Sequence, residues 1–207
     1  MIQNTPEWRE ARAGKITASR MADVIAFGKR DGKPLQARRD YIGDIVAEIL
    51  TGEPREQVKA RALDWGHDVE AAARAAYEAE TGQIVIAAGF VLHPTIPYAG
   101  CSPDGLIGAD GMTQIKCPAN PAVHIETLRN GMPDEHIPQV QAEMWVTDRA
   151  WSDFVSFDPR MPPHLRLYRQ RIERDPQYIE SLAQACASLW DEVSALLASL
   201  ESIKEAA

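Results

Sequence analysis

The stretch Tyr98–Pro118, YAGCSPDGLIGADGMTQIKCP, restricts the chain more than any other. Two short apolar segments flank Asp110-Gly111, a pair that favours chain reversal, so the stretch predicts an outgoing strand, a tight turn and a returning strand. Period-two alternation along Thr113–Cys117 puts Gln114 and Lys116 on one face and Thr113, Ile115 and Cys117 on the other. The reversal brings Asp104 back towards the second strand, so an aspartate, the side chain at 114 and a lysine converge without any long-range assumption. A divalent cation takes hard oxygen ligands, and a lysine beside it can orient or deprotonate a water and offset phosphate charge. This is chemistry suited to a phosphodiester, with one departure: position 114 holds a neutral amide where a second carboxylate is needed.

The surrounding pattern supplies a frame for that hairpin. Tyr41, Ile42, Ile45, Val46 and Ile49 recur at helical spacing and predict a helix over about 37–50, and a second is expected over about 57–80, ending at Thr81-Gly82. Strand character runs from Gln83 to Pro94. Beyond the hairpin, helices are expected over 123–129 and 137–146, strands over 151–159 and 164–173, and an amphipathic helix over 176–205. Mixed helices and hairpins point to an α/β or α+β sheet core with helices packed on it. At 207 residues and 45% hydrophobic content, the chain is expected to form a single domain, 1–207, with a basic N-terminal segment and a C-terminal helix.

Charge adds a direction. The formal net charge is -8, the wrong sign for a chain that grips nucleic acid over its whole surface. Yet Arg9–Arg39 carries nine Lys/Arg against three acids, whereas Glu173–Ala207 carries seven acids against two bases. That polarity suits a local phosphate-binding edge on an acidic body. No run of 18 apolar residues occurs, and MIQNTPEWRE lacks the basic-then-apolar order of a secretory signal, so the expectation is a cytoplasmic chain without membrane contact. Three cysteines without a CxxC pair read as small core residues. His93, His124, His136 and His164 have no metal-ligand spacing, and Trp151, Phe154 and Phe157 read as sheet core.

SPDG followed by QIKCP resembles the PD-(D/E)xK nuclease signature, and specifically the YqaJ-like viral recombinase family that includes the exonuclease of bacteriophage lambda. The resemblance extends through WGHDVE (65–70), PQVQAEMW (138–145) and WREARAGKITASR (8–20). It implies a restriction-endonuclease-like α/β core, a central mixed β-sheet flanked by helices. It also implies catalytic roles for Glu70, Asp104, Lys116 and Gln141, with Gln139 the less favoured alternative to Gln141. Metal ligands would come from Glu70, Asp104, residue 114 and the Ile115 carbonyl, and a DNA-end pocket from Arg12 and Ser19. Thr17 is a neighbour of that pocket or a helix cap, and Lys29 and Arg30 lie on a loop placed to meet DNA.

Relatives of this kind act on linear double-stranded DNA with a 5'-phosphorylated end. The resemblance therefore implies a magnesium-dependent 5'-to-3' exonuclease that leaves 3' overhangs for recombination. Manganese would substitute, and calcium would support binding without efficient cleavage. A homotrimer and a single-strand annealing recombinase as partner are implied in the same way. Gln114 departs from the family pattern, which has glutamate two residues before the lysine. The chain is thus expected to be a catalytically impaired, Glu-to-Gln form, the alternatives being a naturally non-catalytic DNA-end-binding protein and a structure-selective endonuclease of the same superfamily.

Overall fold

The computed structural model describes residues 3, 5–54 and 61–205. Seven helices are described: α1 (Pro6–Arg12), α2 (Met21–Val24), α3 (Gln36–Thr51), α4 (Arg61–Thr81), α5 (Pro121–Asn130), α6 (Ile137–Thr147) and α7 (Pro176–Glu205). The strands are β1 (Ile16–Thr17), β2 (Val85–Ile86), β3 (Val91–Leu92), β4 (Ala99–Cys101), β5 (Gly105–Ile107), β6 (Gly111–Lys116), β7 (Trp151–Phe157) and β8 (Leu167–Glu173). Five of them form a mixed sheet in the order β2-β5-β6-β7-β8, and β1-β4-β3 form a smaller second sheet. The start expected for α4 lies outside the described residues.

Only the β6–β7 pair of the larger sheet is parallel, and the chain crosses between them through α5 and α6. Helices therefore cover both faces of the central strand. On one, Ile115, Val155 and Phe157 pack against Val69, Ala73 and Tyr77, the apolar stripe of α4. On the other, Met112 packs against Val140 and Met144 of α6. The alternation expected for β6 follows from this: odd positions face α4 and even positions face α6. The long C-terminal helix is docked by Leu182, Leu189 and Val193 in the core shared with α2, α3 and α6. Arg38, wholly buried on α3, donates to Glu192 at 2.8 Å and ties the two helices together.

Two local expectations change. The run from Gln83 to Pro94 is split into β2 and β3, which belong to different sheets. The hairpin turn is made by Gly108–Asp110, and Gly108 takes the left-handed conformation at φ +53°. Gly111 is instead a strand residue opposite Ile107, and it is glycine for lack of space: a Cβ there would stand 2.1 Å from the Trp151 ring. Trp151, Phe154 and Phe157 do belong to β7, with Phe154 and Phe157 buried. Cys101 and Cys186 are buried free thiols and Cys117 a half-buried one.

Candidate active site

The site grows out of the place where β6 loses a neighbour. Pairing of β5 with β6 ends at Gly105 and Thr113, and the next amide on that edge, Ile115 N–H, donates to Asp104 Oδ2 at 2.7 Å. The aspartate thus takes the place of the missing strand, and its carboxylate is pinned at the centre of the sheet. Gln114 Nε2 donates to the same oxygen at 2.5 Å. Gln114 is buried, and its amide hydrogens, not its carbonyl, face Asp104.

From the α6 side, Gln139 Nε2 donates to Gln114 Oε1 at 3.0 Å and to Glu143 Oε1 at 2.8 Å. Lys116 Nζ donates to Gln139 Oε1 at 3.3 Å. From α4, Glu70 pairs with Arg74 at 3.2 Å, and Arg74 also donates to the Asp104 backbone carbonyl at 3.1 Å. All of these groups except Arg74 line one cleft of about 320 Å³. The N-terminal segment also lines it: there the Arg12 guanidinium lies 4.1 Å over the Trp8 ring and donates to Ser19 Oγ at 3.4 Å. Thr17 Oγ1 is 3.3 Å from Ser19 Oγ, and the Trp8 indole N–H donates to Ser102 at 2.9 Å.

Burial sets the electrostatics. It raises the Asp104 carboxyl to about 6, helped by Glu70 and opposed by Lys116, the Ile115 N–H and Arg74. It raises Glu143 to about 8, helped by Asp104. It lowers Arg12, partly offset by Tyr41 and Glu48. Cys117, also in the cleft, is pushed up to about 12 by burial, so it is not a ready thiolate nucleophile.

The raised carboxyls make a stability prediction. A group whose pKa is higher in the folded chain favours the fold while protonated, so stability is greatest below the ordinary carboxylate range and falls as pH rises through about 6 for Asp104 and about 8 for Glu143. Glu143→Gln keeps an acceptor for Gln139 and cannot ionise. Without divalent metal, it is expected to stabilise the chain by on the order of 3 kcal/mol near pH 9 and by little near pH 5. Thermal melts across that range check it; an equal effect at both ends would contradict it.

Arg12, Thr17, Ser19, Glu70, Asp104, Gln114, Ile115 and Lys116 all line the cleft. Gln141 does not. It lies on the other side of α6, where its Nε2 donates to Glu173 O and its Oε1 accepts from Asp175 N, both at 2.9 Å, so it joins the end of β8 to the start of α7. Residues two apart on a helix point to different sides, and Gln139 is the glutamine that reaches the cleft. Lys29 and Arg30 sit exposed on the loop between α2 and α3, outside the cleft's lining. The His67 side chain lies outside the described residues. Trp8, Ser102 and Glu143 line the cleft without having been marked as site residues in the sequence; for Glu143 the signal was its i, i+4 spacing from Gln139.

The donor set is chemically suited to a hard cation: two carboxylates, an amide oxygen and a backbone carbonyl offer oxygen alone. It is short of charge, because among the described residues no three His, Cys, Asp or Glu are grouped closely enough to hold a metal. The weak member is Gln114, whose oxygen is turned to Gln139.

A family model described as the YqaJ-like viral recombinase domain matches residues 7–150. The chain is similar to an alkaline exonuclease, LHK-Exo, from Laribacter hongkongensis: 40% identity over 97% of this chain and 98% of that one, with a TM-score of 0.88. A structure of LHK-Exo in complex with dAMP aligns at 39% identity over 98% of this chain and 100% of the other, TM-score 0.89. A phage-related exonuclease from Haemophilus somnus shares the fold, with a TM-score of 0.71 at 15% identity over 90% of this chain and 96% of that one. No curated protein sequence matches significantly.

Proposed function

Because the chain belongs to the YqaJ-like viral recombinase family of PD-(D/E)xK nucleases, we propose that its cleft is the site of a magnesium-dependent 5'-to-3' exonuclease acting on linear duplex DNA in the cytoplasm. The observation that carries this reading is that two sets of side chains line one cleft. One holds Arg12, Thr17 and Ser19, and the other holds Asp104, residue 114, Lys116 and Glu70. A terminal phosphate held by the first places the adjoining phosphodiester against the second. The relative captured with dAMP, a nucleoside monophosphate, fits stepwise release of single nucleotides.

Asp104 and Glu70 would hold the cation, with the Ile115 carbonyl and the side chain at 114 completing the oxygen set. Magnesium supplies Lewis-acid activation of water and phosphate when bound. Lys116, kept in place by Gln139, orients the attacking water and offsets charge on the phosphate. Arg12, braced on Trp8, receives the 5' phosphate through its paired N–H groups, and Ser19 adds a hydroxyl contact. Lys29 and Arg30 extend the DNA path outside the cleft. A homotrimer and a single-strand annealing partner enter on family membership alone; sedimentation equilibrium reads the number of copies.

A second reading has its own observation. The Gln114 amide satisfies Asp104 without a cation, so this chain can hold a DNA end in a cleft that is neutralised internally and cuts slowly or not at all. Both readings use the phosphate wall. Arg12→Ala is expected to weaken binding to 5'-phosphorylated duplex by roughly 10- to 100-fold, and to 5'-hydroxyl duplex much less, since a charge-assisted pair is lost only in the first. Fluorescence titration of both duplexes at one salt concentration decides: equal loss on both removes the phosphate-pocket assignment and marks Arg12 as a general backbone contact.

A further inference from the structure

Glu143 is a buried carboxyl group in the wall of the cleft that the reaction so far leaves without a task. It is 1% exposed, one oxygen accepts from Gln139, and the other has no hydrogen-bond partner. A carboxyl buried in this way costs stability, and an apolar side chain on α6 beside Val140 and Met144 would not carry that cost.

The hydrogen bonds around Gln139 indicate what is gained. A glutamine amide has two faces, and either can in principle turn towards Lys116. Here the carbonyl meets the Lys116 ammonium, while the NH2 group serves both Gln114 Oε1 and Glu143 Oε1. A flip would set the NH2 against an ammonium, which cannot accept, and the carbonyl against two acceptor oxygens. Gln114 does not enforce this arrangement alone, since its own amide could turn as well. Glu143 carries no NH2 to offer, and its Oε1 accepts at 2.8 Å, as a carboxyl carbonyl oxygen can whether the group is protonated or ionised.

We infer that Glu143 is a positioning residue: it selects the orientation of the Gln139 amide and thereby holds the Lys116 ammonium beside the side chain at 114, an inference that rests on the nuclease reading of the cleft. It touches neither substrate nor cation. Its influence reaches the reacting groups through one side chain, and it does so whether residue 114 is glutamine or glutamate, because both present an oxygen to Gln139.

The test reads Lys116 directly, in the chain as it stands and without DNA or metal. The 13Cε resonance of Lys116 in lysine-labelled protein, assigned by its loss in Lys116→Arg, is compared in Glu143→Leu, Glu143→Ala, Glu143→Gln and Gln139→Leu. Leu and Ala at 143 are expected to shift it in the direction that Gln139→Leu does, with no further shift when Glu143→Leu and Gln139→Leu are combined. Glu143→Gln, which keeps an acceptor oxygen but can turn as Gln114 can, is expected to shift it less than Leu or Ala does. In the Gln114→Glu background, Glu143→Leu should lower the single-turnover rate roughly 10- to 100-fold with DNA affinity within about twofold, and Glu143→Gln should recover part of that loss. A Lys116 signal that ignores Leu and Ala at 143 overturns the inference. So does a Gln variant as damaging as Leu, which would make the charge of Glu143, not its acceptor geometry, the operative property. Failure of the Gln114→Glu chain to cleave at all would strike the nuclease reading, while the Lys116 resonance still decides the role of Glu143.

Discussion

Replacing Gln114 by glutamate is expected to raise magnesium-dependent cleavage of linear duplex DNA at least roughly 100-fold. The exchange preserves side-chain length and the oxygen that accepts from Gln139, and it removes the NH2 group that now donates to Asp104. Two anionic oxygens then face one another at the end of the β5–β6 ladder, an arrangement that a cation stabilises and its absence penalises. DNA-end binding should persist in both forms, because Arg12 bonds to Ser19, and Ser19 to Thr17, and not to residue 114. Calcium should support that binding with little cleavage, since its larger and more flexible coordination sphere tolerates ligand placements that do not activate water. Single-turnover rates with enzyme in excess, measured beside affinity in the same salt and metal, separate the two effects. A glutamate form that binds DNA and magnesium normally yet remains as slow as the glutamine chain would show that residue 114 is not the missing ligand.

In that restored background, Asp104→Asn should remove on the order of 1,000-fold of the cleavage rate, about 4 kcal/mol. Asp104 is the group on which the hairpin, the sheet edge and the cleft converge, and its Oδ2 accepts from both Ile115 N–H and the side chain at 114. Asparagine is nearly isosteric and can keep an oxygen towards Ile115, so the hairpin should fold and melt as before. The loss should appear in divalent-metal affinity as well as in rate, measured by manganese titration without DNA. Unchanged metal affinity in Asp104→Asn would place the cation elsewhere.

Legibility of this cleft followed the range of the interactions that build it. The convergence of Asp104, Gln114 and Lys116 could be read from the sequence because it depends on strand alternation and one reversal within about fifteen residues. The turn signal in the sequence is Asp110-Gly111, whereas Gly108 supplies the left-handed residue; Gly111 is demanded by Trp151, forty positions away, and no local rule contains that packing. Which of Gln139 and Gln141 reaches the cleft is not legible in the sequence for a related reason. Both sit in the same short motif, and which side of α6 faces the cleft is set by the sheet against which Val140 and Met144 pack. Gln141 is instead consumed in closing the β8–α7 junction. Glu143 stayed hidden because a glutamate on a helix reads as solvent-facing until its burial is known, and α6 is buried on nearly every side. The splitting of residues 83–94 between two sheets likewise reflects which partners the strands find, not a strong breaker between them.

The central claim, that this cleft degrades DNA from a 5' end with residue 114 as the withheld ligand, is tested most directly by one comparison of products. The present chain and its Gln114→Glu form are incubated with magnesium and two substrates of equal sequence, a linear duplex with labelled 5'-phosphate ends and a covalently closed duplex. The glutamate form is expected to release labelled mononucleotide from the linear substrate and leave the closed one intact, while the glutamine form binds the linear ends and releases little. Cutting of the closed duplex would contradict it in favour of an endonuclease, and equal inertness of both forms on bound linear ends would contradict it in favour of a DNA-end-binding protein.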